Sequence, residues 1–124
     1  MFTKFGAISV GVNDQDKALD FYINTLGFEK IIDTPMSETE RWLEVALPGT
    51  QTHLILGLRG QSVPDRTGMT GFILYTDDIE ATYKELKSRG VTITHELSNE
   101  PWGKWLQFAD LDGNEFGVFA PPAR

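Results

Sequence analysis

Two stretches of the chain have apolar residues at helical spacing, and both begin at an aspartate and end at a glycine. The first runs from Asp14 to Gly27 and the second from Asp78 to Gly90. Aspartate is a preferred helix N-cap because its side chain accepts an unpaired N–H of the first turn, and glycine suits the position after the last turn. The pattern therefore predicts two amphipathic helices, each lying on a sheet.

Short β-prone runs precede and follow each helix. The predicted strands cover residues 5–12, 28–33, 41–46 and 52–56 in the first half and 70–75, 91–95, 104–109 and 115–119 in the second. The third runs match at six consecutive positions, RWLEVA against KWLQFA. The sequence thus predicts one α+β domain over residues 1–124, made of two βαβββ repeats at about 4–57 and 69–120. A polar linker over residues 57–68 joins them.

Composition limits the functions that such a domain can have. The chain has 124 residues, a formal net charge of −7 and no cysteine. The acidic balance disfavours nucleic acid as a partner, and the lack of cysteine excludes thiolate chemistry and disulfides. No run approaches the ~20 apolar residues of a membrane span, and no signal-peptide pattern is present. We expect a cytoplasmic protein with neither nucleic-acid nor membrane partners.

Three motifs of the chain resemble the vicinal oxygen chelate superfamily of glyoxalases, bleomycin-resistance proteins and extradiol dioxygenases. They are the run from Val12 to Phe28, the run from Asp77 to Val91 and the segment DLDGNEF at 110–116. The resemblance implies two βαβββ modules whose mixed sheets curl into a cup, and a homodimer. It also implies a divalent metal held by His or Glu from the first and last strand of each module.

The metal-ligand positions implied by the resemblance are occupied by residues that do not bind metals. Three of the four are Ala7, Gly71 and Gly117. The fourth aligns with His53 if Gly49 is matched to Gly113. One imidazole is too few for a stable site, which needs about three or four protein ligands. We therefore expect no metal and no other cofactor; a divalent metal with displaced ligands is the alternative.

The strand period of two predicts which side chains line the cup. Leu43, Val45, Leu106 and Phe108 fall on the helix side. The predicted ligand-binding residues on the opposite side are Ser9, Trp42, Glu44, His53, Tyr75, Trp105, Gln107, Glu115 and Phe119. Such an aromatic surface with few polar groups suits a small organic ligand, aromatic or cationic. Glu44 and His53 are the candidates for acid–base catalysis.

Three hypotheses follow from these residues. The first is a metal-independent small-molecule binding protein similar to bleomycin-resistance proteins. The second is a glyoxalase-like or dioxygenase-like enzyme that uses displaced metal ligands or the Glu44 and His53 pair. The third is a purely structural or regulatory dimer whose cup is filled by its own side chains, with Trp42 and Trp105 as packing residues.

Overall fold

The computed structural model describes residues 1–122, which divide into two compact units at Arg66 and Thr67. The first unit contains β1 (Ala7–Val12), α1 (Gln15–Asp20) with a π-helical turn at Phe21–Thr25, β2 (Glu29–Pro35), β3 (Arg41–Ala46) and β4 (His53–Leu58). The second contains β5 (Gly68–Tyr75), α2 (Ile79–Ser88), β6 (Thr92–Glu100), β7 (Gly103–Ala109) and β8 (Asn114–Ala120).

Each unit has one four-stranded mixed sheet with the same strand order. The order is β1-β4-β3-β2 in the first unit and β5-β8-β7-β6 in the second. The first strand of each unit pairs in parallel with the last, and the other neighbours are antiparallel. The predicted α+β fold of two βαβββ modules is confirmed.

The helices begin and end where their capping residues predict. Asp14 Oδ1 accepts the N–H of Lys17 at 3.0 Å, and Asp78 Oδ1 accepts that of Ala81 at 3.1 Å. Gly27 and Gly90 follow the two helical segments with φ of +82° and +76°, a conformation that glycine adopts without strain. Within residues 1–122, no helix is long and apolar enough to cross a membrane.

The first helical segment differs from the regular α-helix that its spacing predicts, because it ends in a π-helical turn. In that turn the N–H of Leu26 donates to the carbonyl of Phe21. The wider turn lets Phe21 and Tyr22, adjacent in sequence, both lie in the buried layer. Tyr22 makes edge-to-face ring contacts with Phe21 and Phe28, which lock the helix end into the core.

The helix-facing side of each sheet forms the core of its unit, as strand alternation predicts. Leu43 and Val45 in the first unit and Leu106 and Phe108 in the second are buried. The alternate residues, including Trp42 and Trp105, point to the other side. The division of each sheet into a helix-covered face and an open face is therefore already encoded in the period of two.

The segment predicted as a linker contains more structure than its polar composition suggests. Gly57 and Leu58 belong to β4, where they pair with Gly11 and Val12. Val63 is buried and packs against Gly57, where an added Cβ would lie 2.4 Å from Val63 Cγ2. The predicted end of this strand at residue 56 is wrong because Gly57 and Leu58 continue the pairing with β1. The missing side chain of Gly57 leaves room for Val63 against it.

In the described chain, β3 and β4 are paired at two positions only, Glu44 with Ile55 and Val45 with Leu54. On the Arg41 side of these pairs, the side chain of Gln15 makes the hydrogen bonds that strand pairing would otherwise make. Gln15 Nε2 donates to the carbonyls of Arg41 and Leu56, and its Oε1 accepts the N–H of Arg41. The equivalent pair in the second unit, β7 and β8, is matched over six positions. In the first unit, β3 and β4 therefore separate on the side of Glu44 that leads to Arg41.

Candidate ligand-binding site

Glu44 is the centre of a hydrogen-bonded array on the open face of the first sheet. Its Oε2 accepts the indole N–H of Trp42 at 2.6 Å, and its Oε1 lies 2.8 Å from Nδ1 of His53. The Glu44 side chain is only 10% exposed, so its charge is shielded from water and depends on these two partners. Strand alternation places Trp42 and Glu44 on one face, and pairing of β3 with β4 brings His53 beside them.

The contact with Glu44 fixes the tautomer and the orientation of His53. A carboxylate is an acceptor, so the neighbouring Nδ1 carries the hydrogen and the lone pair of the neutral ring is on Nε2. Within residues 1–122, no group forms a hydrogen bond with Nε2. The side chain is 28% exposed. In its neutral form, His53 therefore presents an acceptor of fixed direction to a molecule on this face.

A cavity of about 110 Å³ lies next to the Trp42 indole, where β3 and β4 separate. Ser9 lines it from β1, Ile55 and Gly57 from β4, and Ser62 and Val63 from the segment that follows. Glu40, which precedes β3, lines it as well and is 6% exposed. The cavity thus combines an indole ring, hydroxyl groups and a buried carboxylate in one small space.

A wider cleft of about 470 Å³ lies between the start of α1 and the hairpin at 35–41. Arg41, the basic residue that lines it, is already paired within the unit. Arg41 donates to Asp16 at 2.6 Å and to both carboxylate oxygens of Asp33 at 3.0 and 3.3 Å. The hydrogen bond from Arg41 holds the pKa of Asp33 below its ordinary value, and those to Asp33 and Asp16 raise the pKa of Arg41. This cleft holds none of the predicted ligand-binding residues.

The second unit repeats the bond between indole and side-chain oxygen. Trp105 Nε1 donates to Oε1 of Gln107 at 3.0 Å, as Trp42 does to Glu44 two residues along β3. Gln107 Nε2 in turn lies 3.7 Å from the sulfur of Met69. The amide replaces the carboxylate, so this array is neutral where that of the first unit is charged.

Four aromatic rings form a row on the same face of the second sheet. Trp102 stacks on Phe119 with ring centres 6.2 Å apart, and it meets Trp105 edge to face at 6.0 Å. Tyr75 lies 5.6 Å from Phe119 on the other side. Tyr75 and Trp102 are both more than half exposed. The row is a surface on which a planar ring can stack, and the hydrogen-bonded pair of Trp105 and Gln107 lies at one end of it.

The predicted ligand-binding residues fall into two groups within their own units. Ser9, Trp42, Glu44 and His53 lie on one face of the first sheet, and Tyr75, Trp105, Gln107, Glu115 and Phe119 lie on one face of the second. Direct contacts join Trp42, Glu44 and His53. Glu115 pairs with Ala109 at the far end of β8 from Phe119. His95, the other histidine of the chain, is exposed.

Strand register corrects the alignment of His53 with Gly117. Gly117 pairs with Gln107, and Ile55 pairs with Glu44, the residue equivalent to Gln107. Ile55 is therefore the counterpart of Gly117, and His53 lies two residues earlier on the same face. Matching Gly49 to Gly113 is wrong because the turn between β3 and β4 is one residue longer than that between β7 and β8.

The model of the Glyoxalase/Bleomycin resistance protein/Dioxygenase superfamily matches residues 4–118, nearly the whole chain. The chain belongs to this superfamily. Within it, the protein is 34% identical over 116 residues to the uncharacterized protein YetH of Bacillus subtilis (strain 168), covering 94% of this chain and 97% of YetH. The family that the three motifs suggest is thus confirmed.

Solved structures of the superfamily share the fold closely. A member from Sphaerobacter thermophilus DSM 20745 is 41% identical with a TM-score of 0.87, covering 95% of this chain and 97% of that one. TnmS3, an antibiotic binding protein from Streptomyces sp. CB03234, is 38% identical with a TM-score of 0.85 and 98% coverage of both chains. These likenesses extend over both βαβββ modules.

The metal that the superfamily typically holds does not fit the residues at its expected positions. With the corrected register these positions are Ala7, Ile55, Gly71 and Gly117, none of which has a donor atom in its side chain. At Gly117 the ring of Trp105 fills the space, since an added Cβ would lie 2.2 Å from its Cη2. Among residues 1–122, no group of three or more His, Cys, Asp or Glu side chains could hold a metal ion.

Sequence analysis missed two residues of these faces, Glu40 and Trp102. Glu40 continues the alternation of Trp42 and Glu44 two residues upstream, so the period of two could have placed it on the same face. The predicted strand begins at residue 41 and does not include it. Trp102 lies in the turn between β6 and β7, where no periodicity indicates the direction of a side chain.

Proposed function

We propose that this protein binds a small organic ligand with a planar aromatic part on the open face of the first sheet, without a metal. The array at Glu44 carries this proposal. It holds the 41% exposed indole of Trp42 in one orientation and presents Nε2 of His53 as an acceptor beside it. An aromatic ring held in place in this way loses little conformational entropy when a ligand stacks on it.

The family supports a binding role. TnmS3, which is 38% identical to this chain, is an antibiotic binding protein. The four family ligand positions lack donor atoms, so recognition is assigned to stacking and hydrogen bonds. The aromatic row of the second unit offers a further stacking surface, with Tyr75 and Phe119 at one end and Trp105 with Gln107 at the other.

Binding is tested by calorimetry with a panel of two-ring and three-ring aromatic compounds. The Trp42→Ala variant is expected to bind at least about tenfold more weakly, since a lost aromatic contact costs on the order of 1 kcal/mol in addition to buried area. The exposed Leu111, replaced by Ala, is the control and is expected to leave affinity unchanged. If no compound binds, or if Trp42→Ala binds as the parent does, the proposal is wrong.

Metal independence is tested separately. Elemental analysis of protein purified without chelators is expected to find no stoichiometric Mn, Fe, Ni or Zn, and ligand affinity is expected to be the same after dialysis against a chelator. Stoichiometric metal, or loss of binding on chelation, would overturn this part of the proposal.

A second candidate function is acid–base catalysis, which is favoured by the 2.8 Å contact between Glu44 and His53. A carboxylate that orients an imidazole leaves Nε2 to take up or deliver a proton. Conversion of a bound compound by the parent protein, but not by His53→Gln with binding retained, would favour this function over simple binding. Recovery of every bound compound unchanged would exclude it for that panel.

We further propose that the protein is a homodimer, as its family resemblance suggests. β1 is an edge strand of its sheet, and Phe2 and Phe5 immediately before it are 94% and 82% exposed. Exposed edges and apolar side chains of this kind are usually covered by a partner. Analytical ultracentrifugation is expected to give twice the mass of 13.9 kDa; a monomer at micromolar concentration would contradict it.

A further inference from the structure

Glu40 is a buried carboxylate whose hydrogen bonds satisfy only one of its two oxygens. Its Oε2 accepts the N–H of Leu58 at 2.9 Å and the hydroxyl of Ser62. Within residues 1–122, no donor contacts Oε1 and no Lys, Arg or His forms an ion pair with the group. The residue is 6% exposed. A carboxylate covered to this extent is costly unless a positive group, further donors or water reach it. Oε1 is not one of the buried atoms without a partner, so it is open to a molecule in the adjoining space.

The neighbouring charges do not supply that group. The guanidinium of Arg41, next in sequence, donates to Asp16 and Asp33 and is occupied by them. Glu44, the other carboxylate beside the indole, has both oxygens engaged by Trp42 and His53. Of the two carboxylates beside the indole, it is therefore Glu40 that has an accessible oxygen, Oε1, with no donor among residues 1–122.

The cavity at Glu40 has the size and lining of a pocket for a small cation. Its volume of about 110 Å³ is below the ~150 Å³ of an apolar cavity that holds benzene, so it suits a single charged group on a short alkyl stem. Trp42 lies along one side, and aromatic rings attract cations over their faces. The hydroxyl of Ser9 and the sulfur-bearing Met36 complete the wall.

We infer that this cavity is a subsite for a protonated alkylamine of the ligand, with Glu40 as its counter-charge and the Trp42 ring beside it. The inference deepens the proposed function and rests on it, since the same indole would contact the aromatic part. One carboxylate is too few for a metal ion, which needs several charged ligands. An anion would be repelled by the same carboxylate.

The test compares benzylamine, which is protonated at neutral pH, with benzyl alcohol, its neutral analogue, by calorimetry. The parent protein is expected to bind the amine about tenfold or more tightly than the alcohol. In Glu40→Gln the preference is expected to disappear, because Gln keeps an acceptor for Leu58 and Ser62 but not the charge. Glu38→Gln is the matched control: it removes the same charge from the exposed side of the same hairpin, and its preference is expected to remain.

The outcomes separate the two proposals. If aromatic compounds bind at Trp42 but the parent protein does not prefer the amine, or the preference persists in Glu40→Gln, the cation subsite alone is overturned. If neither the aromatic panel nor benzylamine binds, the proposed function fails and the subsite with it. Comparison of amine and alcohol on the parent protein needs no variant, so a Glu40→Gln protein that fails to fold does not prevent the test. Thermal unfolding of each variant reports its folding.

Discussion

The indole of Trp105 lies directly on Gly117, so that a Cβ at residue 117 would be 2.2 Å from Cη2 and 2.6 Å from Cζ2 of the ring. The ring is fixed there by the hydrogen bond from Nε1 to Gln107. Trp105 thereby occupies the place from which the last strand of a superfamily member would extend a metal ligand. The contact of the Trp105 ring with residue 117 thus leaves no room for a side chain at that position.

Gly117→Ala is expected to destabilise the protein by about 1–3 kcal/mol, because the added methyl group overlaps a ring held by neighbours. In a Trp105→Ala background the same change is expected to cost much less. Urea denaturation of the four proteins in this double-mutant cycle measures the coupling. Gly6→Ala, which meets nothing within 4 Å, is the control. An equal cost in both backgrounds would contradict the proposed overlap.

Gln15→Ala is expected to lower the free energy of unfolding by about 2 kcal/mol or more. The side chain satisfies the N–H and carbonyl of Arg41 and the carbonyl of Leu56 where β3 and β4 separate. Unsatisfied buried polar groups cost ~1–3 kcal/mol each. The comparison by urea denaturation is with Gln61→Ala, an exposed glutamine whose loss is expected to have little effect. Equal stabilities for the two variants would show that other groups satisfy these backbone N–H and carbonyl groups.

The pair of Asp33 and Arg41 is expected to contribute to stability at neutral pH but not in acid. Hydrogen bonds from Arg41 lower the pKa of Asp33 in the folded state below its ordinary value of 3.8. The stabilisation is therefore present above that value and is lost as the pH falls through the lowered pKa. Asp33→Asn should cost at most about 1 kcal/mol at pH 7, as for a partly exposed ion pair, and nothing at the acid end.

This pH dependence is measured by urea denaturation between about pH 2 and pH 7, within the range in which carboxylates titrate. Asp65→Asn, at an exposed position of the segment after β4, is the matched control and should parallel the parent protein. A constant difference between Asp33→Asn and the parent across the range would contradict the assignment to the ion pair.

His53→Phe is expected to remove a preference for ligands with a hydroxyl group while keeping an aromatic side chain. Nε2 of His53 is available to accept a hydrogen bond from such a ligand. The parent protein should bind 2-naphthol up to about tenfold more tightly than 2-methoxynaphthalene, since a net hydrogen bond is worth about 1 kcal/mol. Ligand-observed NMR gives both affinities. A preference retained in His53→Phe would place the acceptor elsewhere.

Much of the fold and part of the site could be predicted from local pattern. The caps at Asp14 and Asp78 and the strand period around Leu43 and Leu106 each depend on a few neighbouring residues. Local pattern also placed Trp42 and Glu44 on one face. It could not supply the register of β4 against β3, since that depends on the length of a turn, and His53 was therefore matched to the wrong position.

The sequence by itself determined two βαβββ modules, the face on which each indole lies, and the lack of donor atoms at Ala7, Gly71 and Gly117. Only the tertiary structure decided which carboxylate has both oxygens hydrogen-bonded to other side chains. Glu44 meets Trp42 and His53 because strand pairing brings β4 beside β3. Glu40 lines a cavity because that pairing ends beyond Ile55. Hydrogen-bond satisfaction depends on atoms distant in sequence, and periodicity reports only the face to which a side chain points.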